Sequence, residues 1–308
     1  MSKKKWPLLL LFSFIVWLLY KLSDVKTGHQ NENPEVNSRY FETDEKFVNL
    51  KDKVKILCWI MTIPENLPTR ATSVKETWAP HCNKYMFVSG VGNKTFPVVE
   101  LNIIEGRYHL TNKTYTSLLY LYRHHGREYD WFLKADDDTY IIVENLRYML
   151  NSFDPKSPLF IGRKFKTVVP NGYMSGGAGY VLSRRALELI VTKGVHNKTL
   201  CPIWSMEDVD IGRCATNVGV SHVDSSADVY GKQRFHPIYL SEYFKPHFDT
   251  FMFIYSLAKV KSGTECCSNL TISMHSVKPE QMYMIHFLLY HMEVHGEVSK
   301  WPKQFPVS

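Results

Sequence analysis

Trp131-Phe132-Leu133-Lys134-Ala135-Asp136-Asp137-Asp138-Thr139-Tyr140 is an apolar stretch of β character that stops abruptly at three consecutive carboxylates. Like charges side by side repel one another, so a fold keeps them cheaply only where solvent or a cation neutralises them. A strand that delivers Asp-x-Asp to its C-terminal edge suits a divalent ion holding a nucleotide diphosphate. Hard cations of the Mg²⁺ or Mn²⁺ kind prefer carboxylate oxygens and share their shell with phosphates. A plainer alternative stays open at this point, an acidic turn in which Asp138 caps a helix starting near Val143.

Outward from this stretch, strands alternate with helices. Val54 to Met61 has the pattern of a buried strand; Pro64 and Pro68 break it, and Thr69 to Trp78 reads as a helix. Tyr85 to Val88 and Val98 to Leu101 read as strands, Arg107 to His124 carries apolar residues at helical spacing, and a helix is predicted from Glu144 to Leu150. Such alternation predicts an α/β fold around a mostly parallel central sheet, whose ligands bind at the carboxyl ends of the strands, where the Asp triplet lies. No internal repeat, P-loop or Gly-x-Gly-x-x-Gly occurs. Further on, Tyr173-Met174-Ser175-Gly176-Gly177-Ala178-Gly179-Tyr180 is a glycine-rich turn leading into Val181-Leu182 and a helix from Ser183 to Thr192. It fits either a tight strand-to-helix turn or a place where a ligand approaches the backbone.

The 308 residues suffice for one large domain or two small ones. Four segments are expected: a cytosolic tail over 1–5, a transmembrane signal anchor over 6–22, a stem over 23–52 and a lumenal catalytic domain over 53–308. Lys3, Lys4 and Lys5 precede the apolar run Trp6 to Tyr20, and Lys21 follows. A cleavable signal peptide would need a small-x-small site, but Tyr20 is followed by Lys21-Leu22-Ser23-Asp24. The basic flank keeps the tail in the cytosol and sends the rest of the chain to the lumen. Sequons at Asn93, Asn112, Asn197 and Asn269 and an even set of six cysteines suit that address. Adjacent Cys266 and Cys267 are expected to bond to different partners, whereas Cys58 and Cys82 flank one strand-helix unit and make a plausible pair. A net charge of +7 with no basic-aromatic stripe argues for a solvated surface and against a nucleic-acid partner.

Two more segments carry candidate chemistry. Trp204-Ser205-Met206-Glu207-Asp208-Val209-Asp210 reads as a helix start with Ser205 at the N-cap. Its acidic residues either complement the helix dipole or supply a general base, for which Asp208 is the better candidate, with Glu207 orienting an acceptor. His275 closes a β-like run just before a final amphipathic helix predicted over Pro279 to Met292, from where it is placed to return to a metal; His222 and His236 are weaker rivals.

Phe132 to Asp138, Gly172 to Ser183 and Glu207-Asp208-Val209 together resemble the inverting β1,3-glycosyltransferases, and most of all their core 1 β1,3-galactosyltransferase group. Cys58-Trp59-Ile60-Met61-Thr62, Val74 to Trp78 with Cys82-Asn83-Lys84, Phe235-His236-Pro237 and Cys266-Cys267-Ser268 are similar to further hallmarks of the group. The resemblance spans Val54 to Met292. It implies a GT-A nucleotide-sugar-binding fold, UDP-galactose as donor, Mn²⁺ as cofactor, the GalNAc of Ser/Thr-linked glycoproteins as acceptor, and a single-pass type II place in the Golgi membrane; it leaves a homodimer open. Carried over by position, Asp138 and His275 would hold Mn²⁺, Asp136 and Asp137 the donor's ribose and sugar, and Asp208 would be the base. Gly176 and Gly177 would line the pocket near the transferred sugar, and Trp204, Glu207 and Tyr173 would meet the acceptor. One departure stands out, Ile63 where the group has a glycine. Transfer of another sugar and a non-catalytic folding-partner role are the competing readings; the relatives of the second kind lack the Asp triplet that this chain keeps.

Overall fold

A computed structural model describes residues 50–295 except 167, 205, 225, 246–249 and 258–259, all within the unit Asp44–Ser308. The expected tail and anchor, nearly all of the stem and the expected N-cap Ser205 lie outside the described residues. Among those described, no helix is long and apolar enough to cross a membrane.

In chain order the strands are β1 (Ile56–Met61), β2 (Lys84–Ser89), β3 (Val98–Glu100), β4 (Trp131–Asp136), β5 (Tyr140–Ile141), β6 (Leu159–Gly162), β7 (Lys164–Phe165), β8 (Tyr173–Met174), β9 (Tyr180–Ser183), β10 (Ser221–Asp224), β11 (Phe235–His236) and β12 (Ser273–Met274). The α-helices are α1 (Thr72–Glu76), α2 (Leu110–His125), α3 (Val143–Leu150), α4 (Arg184–Leu189), α5 (Glu207–Asn217), α6 (Thr250–Tyr255) and α7 (Pro279–Tyr290). Seven strands form the central sheet in the order β10-β6-β9-β4-β1-β2-β3. Every pairing is parallel except those of β9, which runs against both neighbours.

The alternation in the strands explains the layers. Ile56, Cys58 and Ile60 of β1 face one side, packing with Val74, Trp78, Leu146 and Leu150 from α1, its C-terminal flank and α3. Leu57, Trp59 and Met61 face the other, packing with Leu118 and Leu121 of α2. A strand buried on both faces by helices reads as the continuous apolar run seen in the sequence.

Two topological facts position the site. The chain leaves β1 towards β2 and β3, then returns to lay β4 on the other side of β1. Such a reversal opens a crevice beyond the carboxyl ends of β1 and β4. Because β9 is antiparallel to β4, with Lys134 opposite Tyr180, the turn before β9 emerges at that same edge. A three-stranded sheet, β11-β12-β5, then joins the segment following the Asp triplet to the segment preceding His275.

Several expectations need correction. The helix foreseen over Thr69 to Trp78 is a composite of a 3₁₀ turn at Pro64–Asn66, a π turn at Leu67–Ala71 and the short α1. Pro68 interrupts regular helical hydrogen bonding there. Cys266 and Cys267 bond to each other, while Cys58 pairs with Cys82 and Cys201 with Cys214. Helix α7 buries Met282 and Ile285 but leaves Tyr283, Met284, Phe287 and Leu288 exposed, so apolar residues lie on its outer face too and it lacks a clean polar side. Asp138 does not cap α3, whose N-cap is Ile142, without a side-chain cap.

Candidate active site

A cleft of about 520 Å³ opens at the carboxyl edge of β1 and β4. Its walls include Thr62 and Ile63 past β1, Asp136, Asp137 and Asp138 at the end of β4, Gly176 and Gly177 before β9, Glu207 and Asp208 at the start of α5, and His275 after β12.

The three aspartates have three environments. Asp137 is buried and accepts hydrogen bonds from Thr62 Oγ1 at 2.7 Å and Asn66 Nδ2 at 2.9 Å. Burial lifts its pKa above the ordinary carboxyl value, with those two donors pulling the other way. Asp136 accepts from Lys134 Nζ at 2.7 Å. Asp138 faces His275 Nε2 at 3.2 Å through one oxygen and Arg70 Nη1 at 3.3 Å through the other. Burial works against its charge, but the His275 hydrogen bond, the His275 charge and Arg70 outweigh it and hold its pKa below the usual value. For His275, burial opposes protonation, and the bond to Asp138 overcomes it, so its pKa is raised.

His275 is delivered by backbone: its N–H donates to His236 O at 3.0 Å, and the Val277 N–H donates to Asp138 O at 2.9 Å. Its Nδ1 lies 3.0 Å from Pro237 O, which fixes the ring and leaves Nε2 directed at Asp138. Asp136, Asp138 and His275 each place one ligand atom within 4.8 Å of the others. Two carboxylate oxygens and an imidazole nitrogen form a hard-to-intermediate donor set, which fits Mn²⁺ or a similar divalent ion. Among the described residues it is the only such group, and neither His222 nor His236 belongs to it. Ring packing decides the glycine at 177, where a Cβ would stand 2.5 Å from His275 Cε1.

On α5, Asp208 Oδ2 accepts from the Gly176 N–H at 3.2 Å and Oδ1 from the Val209 N–H at 2.9 Å. Burial raises its pKa above the ordinary carboxyl value. A carboxylate that lines a cleft and keeps lone pairs free at a raised pKa is suited to accept a proton. Glu207 also borders the cleft, but Oε1 is taken by Tyr180 Oη at 2.7 Å and Thr114 Oγ1 at 2.8 Å. These bonds join α5 to α2 and β9.

Tyr173 is buried against Phe165 and Gly212 and does not line the cleft. Trp204 is 60 % exposed, outside the cleft wall, with the Arg213 guanidinium 4.4 Å from its ring centroid. The structure thus brings Asp136, Asp137, Asp138, Gly176, Gly177, Glu207, Asp208 and His275 together and leaves Tyr173 and Trp204 apart from them.

Sequence reasoning missed the cations. Lys134 is fully enclosed and links Asp136 to Gly176 O at 3.2 Å, with Glu207 4.0 Å away. Burial disfavours its charge, yet Asp136 and Glu207 more than compensate and raise its pKa. A lysine inside an otherwise apolar strand was the available signal. Arg70, Arg107 and Lys113 also border the cleft and carry no comparable signal.

A Fringe-like family model matches residues 52–293. The chain is 40% identical over 270 residues to glycoprotein-N-acetylgalactosamine 3-beta-galactosyltransferase 1 of Xenopus laevis, covering 85% of this chain and 74% of that protein. It is 27% identical over 174 residues to a beta-1,3-glucosyltransferase of Mus musculus, covering 54% of this chain and 34% of the relative. Among solved structures, the galactosyltransferase LgtC in complex with donor and acceptor sugar analogues aligns with a TM-score of 0.38 at 12% identity, over 71% of this chain and 86% of the other.

Proposed function

The chain belongs to the Fringe-like family, and from that membership together with the cleft we propose that it is an inverting, metal-dependent galactosyltransferase of GT-A type, moving galactose from UDP-galactose to the 3-hydroxyl of GalNAc on Ser/Thr-linked glycoproteins. The observation that carries the reading is a candidate base, Asp208, in one cleft with the Asp136, Asp138 and His275 group.

The chemistry follows from the residues. Asp208 accepts the proton of the acceptor hydroxyl; the Gly176 and Val209 N–H groups hold its two oxygens in place while it does so. The deprotonating oxygen bonds to the anomeric carbon of the donor as the bond from that carbon to the UDP oxygen breaks. A single displacement of this kind turns an α-linked donor into a β-linked product and needs no covalent sugar-enzyme intermediate. Asp138 and His275, with Asp136 beside them, would hold a divalent ion, which when bound would supply charge neutralisation for the diphosphate leaving group. Asp137, tied to Thr62 and Asn66, fixes the floor on which the donor rests.

Ile63 supports a second reading, since it lines the cleft at a position where the group that the sequence resembles has a glycine. A donor other than UDP-galactose is then the sugar transferred. Release of UDP in the presence of a GalNAc-Ser/Thr peptide, measured with UDP-galactose, UDP-glucose, UDP-N-acetylglucosamine and UDP-glucuronic acid, separates the two. Preference for UDP-galactose supports the first reading, and preference for any other donor replaces it.

The same proposal includes a lumenal catalytic domain over 53–308 behind a signal anchor over 6–22, in the Golgi membrane. Three disulfides are in keeping with an oxidising compartment.

A further inference from the structure

Each oxygen of the Asp138 carboxylate has a nitrogen neighbour: His275 Nε2 stands at Oδ1 and the Arg70 guanidinium Nη1 at Oδ2. The two neighbours differ in kind. His275 is held by backbone and belongs to the metal-ligating group. Arg70 is 45 % exposed, lies on the irregular turn after β1, and reaches Asp137 only at 3.7 Å. The turn itself is anchored, because Asn66 beside it donates to Asp137. Arg70 is therefore a long, half-exposed side chain on a fixed base at the rim of the cleft.

A divalent cation and a guanidinium compete for the same carboxylate, since their charges repel at short range. The guanidinium is also a planar fork that matches phosphate oxygens, and it is charged at every working pH. Resting on the reading of the site given above, we infer that Arg70 is a coupling residue: it neutralises Asp138 in the unloaded protein, yields that carboxylate when a divalent ion is taken up, and turns to the diphosphate of the nucleotide sugar. Uptake of the ion and of the nucleotide are thereby linked through one side chain. Lys113 is not free to do this, because its amine is committed to Glu105 at 2.8 Å and to the Thr62 carbonyl.

The test is a binding square, since coupling between two ligands is reciprocal. Mn²⁺ binding is measured by calorimetry on the folded protein with and without saturating UDP, and UDP binding with and without Mn²⁺, for the wild type, Arg70→Ala and Arg70→Lys. In Arg70→Ala, Mn²⁺ binds the UDP-free protein about threefold more tightly or better, because its competitor is gone. UDP binds the Mn²⁺-loaded variant about tenfold more weakly, the scale of a lost charged hydrogen bond. The factor by which each ligand tightens the other falls accordingly. Arg70→Lys restores wild-type Mn²⁺ affinity and only part of the UDP affinity. A guanidinium that merely balances charge gives another result: Arg70→Ala tightens Mn²⁺ equally with and without UDP, the coupling factor is unchanged, and the inference is overturned while the site reading stands. If the wild type binds neither Mn²⁺ nor UDP, the site reading falls and the inference with it.

Discussion

At the scale of single residues, the cleft separates three carboxylate roles by environment. Asp138 is kept charged by His275 and Arg70, Asp137 is spent on Thr62 and Asn66, and Asp208 is lifted by burial. Asp208→Asn preserves size, keeps one of the two backbone N–H bonds to that side chain and removes the proton acceptor. Turnover is expected to fall by about 10²–10⁴, the usual worth of a positioned base, while UDP affinity stays within a few-fold of wild type. Loss of UDP binding in parallel would instead make Asp208 a donor-binding group. The raised Asp208 pKa also sets a sign: activity is low while Asp208 is protonated and rises as the pH climbs through a value above the ordinary 3.8. That acidic limb is expected in the rate profile of the wild type and is expected to vanish from whatever rate Asp208→Asn retains. Asp138→Ala is expected to abolish metal-dependent transfer with the fold intact; circular dichroism beside the assay checks both halves. Much of this was legible beforehand, because like-charged triplets and a carboxylate pair at a helix start are chemically conspicuous. Tyr173 was not legible: an aromatic beside glycines reads as a ligand contact, but here it fills the space that Gly212 leaves, where a Cβ would approach to 2.6 Å.

At the scale of elements, direction matters more than identity. The strands around β1 and β4 were foreseen from their apolar runs, yet nothing local in Tyr180 to Ser183 states that β9 runs antiparallel. That reversal is a long-range pairing, and it brings Gly176 and Gly177 to the Asp triplet, where Lys134 Nζ and Thr139 Oγ1 donate to their carbonyls. The short β5, β11 and β12 have two residues each, too few for any periodicity, although they carry His275 to its place. Helix α7 is then anchored at its far end by polar contacts, with Glu144 accepting from Tyr290 at 2.7 Å and paired with His81 at 2.5 Å. Burial disfavours the Glu144 charge, but His81 and Tyr290 overcome it and lower its pKa. A depressed carboxyl contributes stability above its unfolded value of 4.5 and loses it as the pH falls through the folded value. The thermal stability of the wild type is thus expected to fall as the pH drops below about 4.5, with the paired contribution fading. Glu144→Gln is expected to cost roughly 1–3 kcal/mol at pH 7 and to show a smaller acid-dependent loss. An equal loss in both proteins would assign acid sensitivity to other groups.

At the scale of the whole molecule, three disulfides brace the catalytic unit unequally. Cys58 and Cys82 are 24 positions apart and tie β1 to the approach to β2, whereas Cys266 and Cys267 are neighbours in the chain. Constraint of the unfolded chain grows with the loop closed. The double variant Cys58→Ala with Cys82→Ala is therefore expected to lose about 2–4 kcal/mol, and Cys266→Ser with Cys267→Ser clearly less; urea unfolding at pH 7 compares them, and the reverse order would contradict the argument. The pairing of Cys266 with Cys267 ran against the sequence reading, which expected neighbouring cysteines to bond elsewhere. The mostly parallel sheet was readable, since repeated alternation of strands and helices leaves few other architectures. As a whole, the molecule is expected to join galactose to the GalNAc 3-hydroxyl with inversion. The measurement is nuclear magnetic resonance of the product formed from UDP-galactose and a GalNAc-Ser/Thr peptide, with Mn²⁺ and with EDTA. A β1,3-linked galactose formed only with the metal is the predicted result. An α-linked product, a different linkage, or equal transfer in EDTA would contradict it.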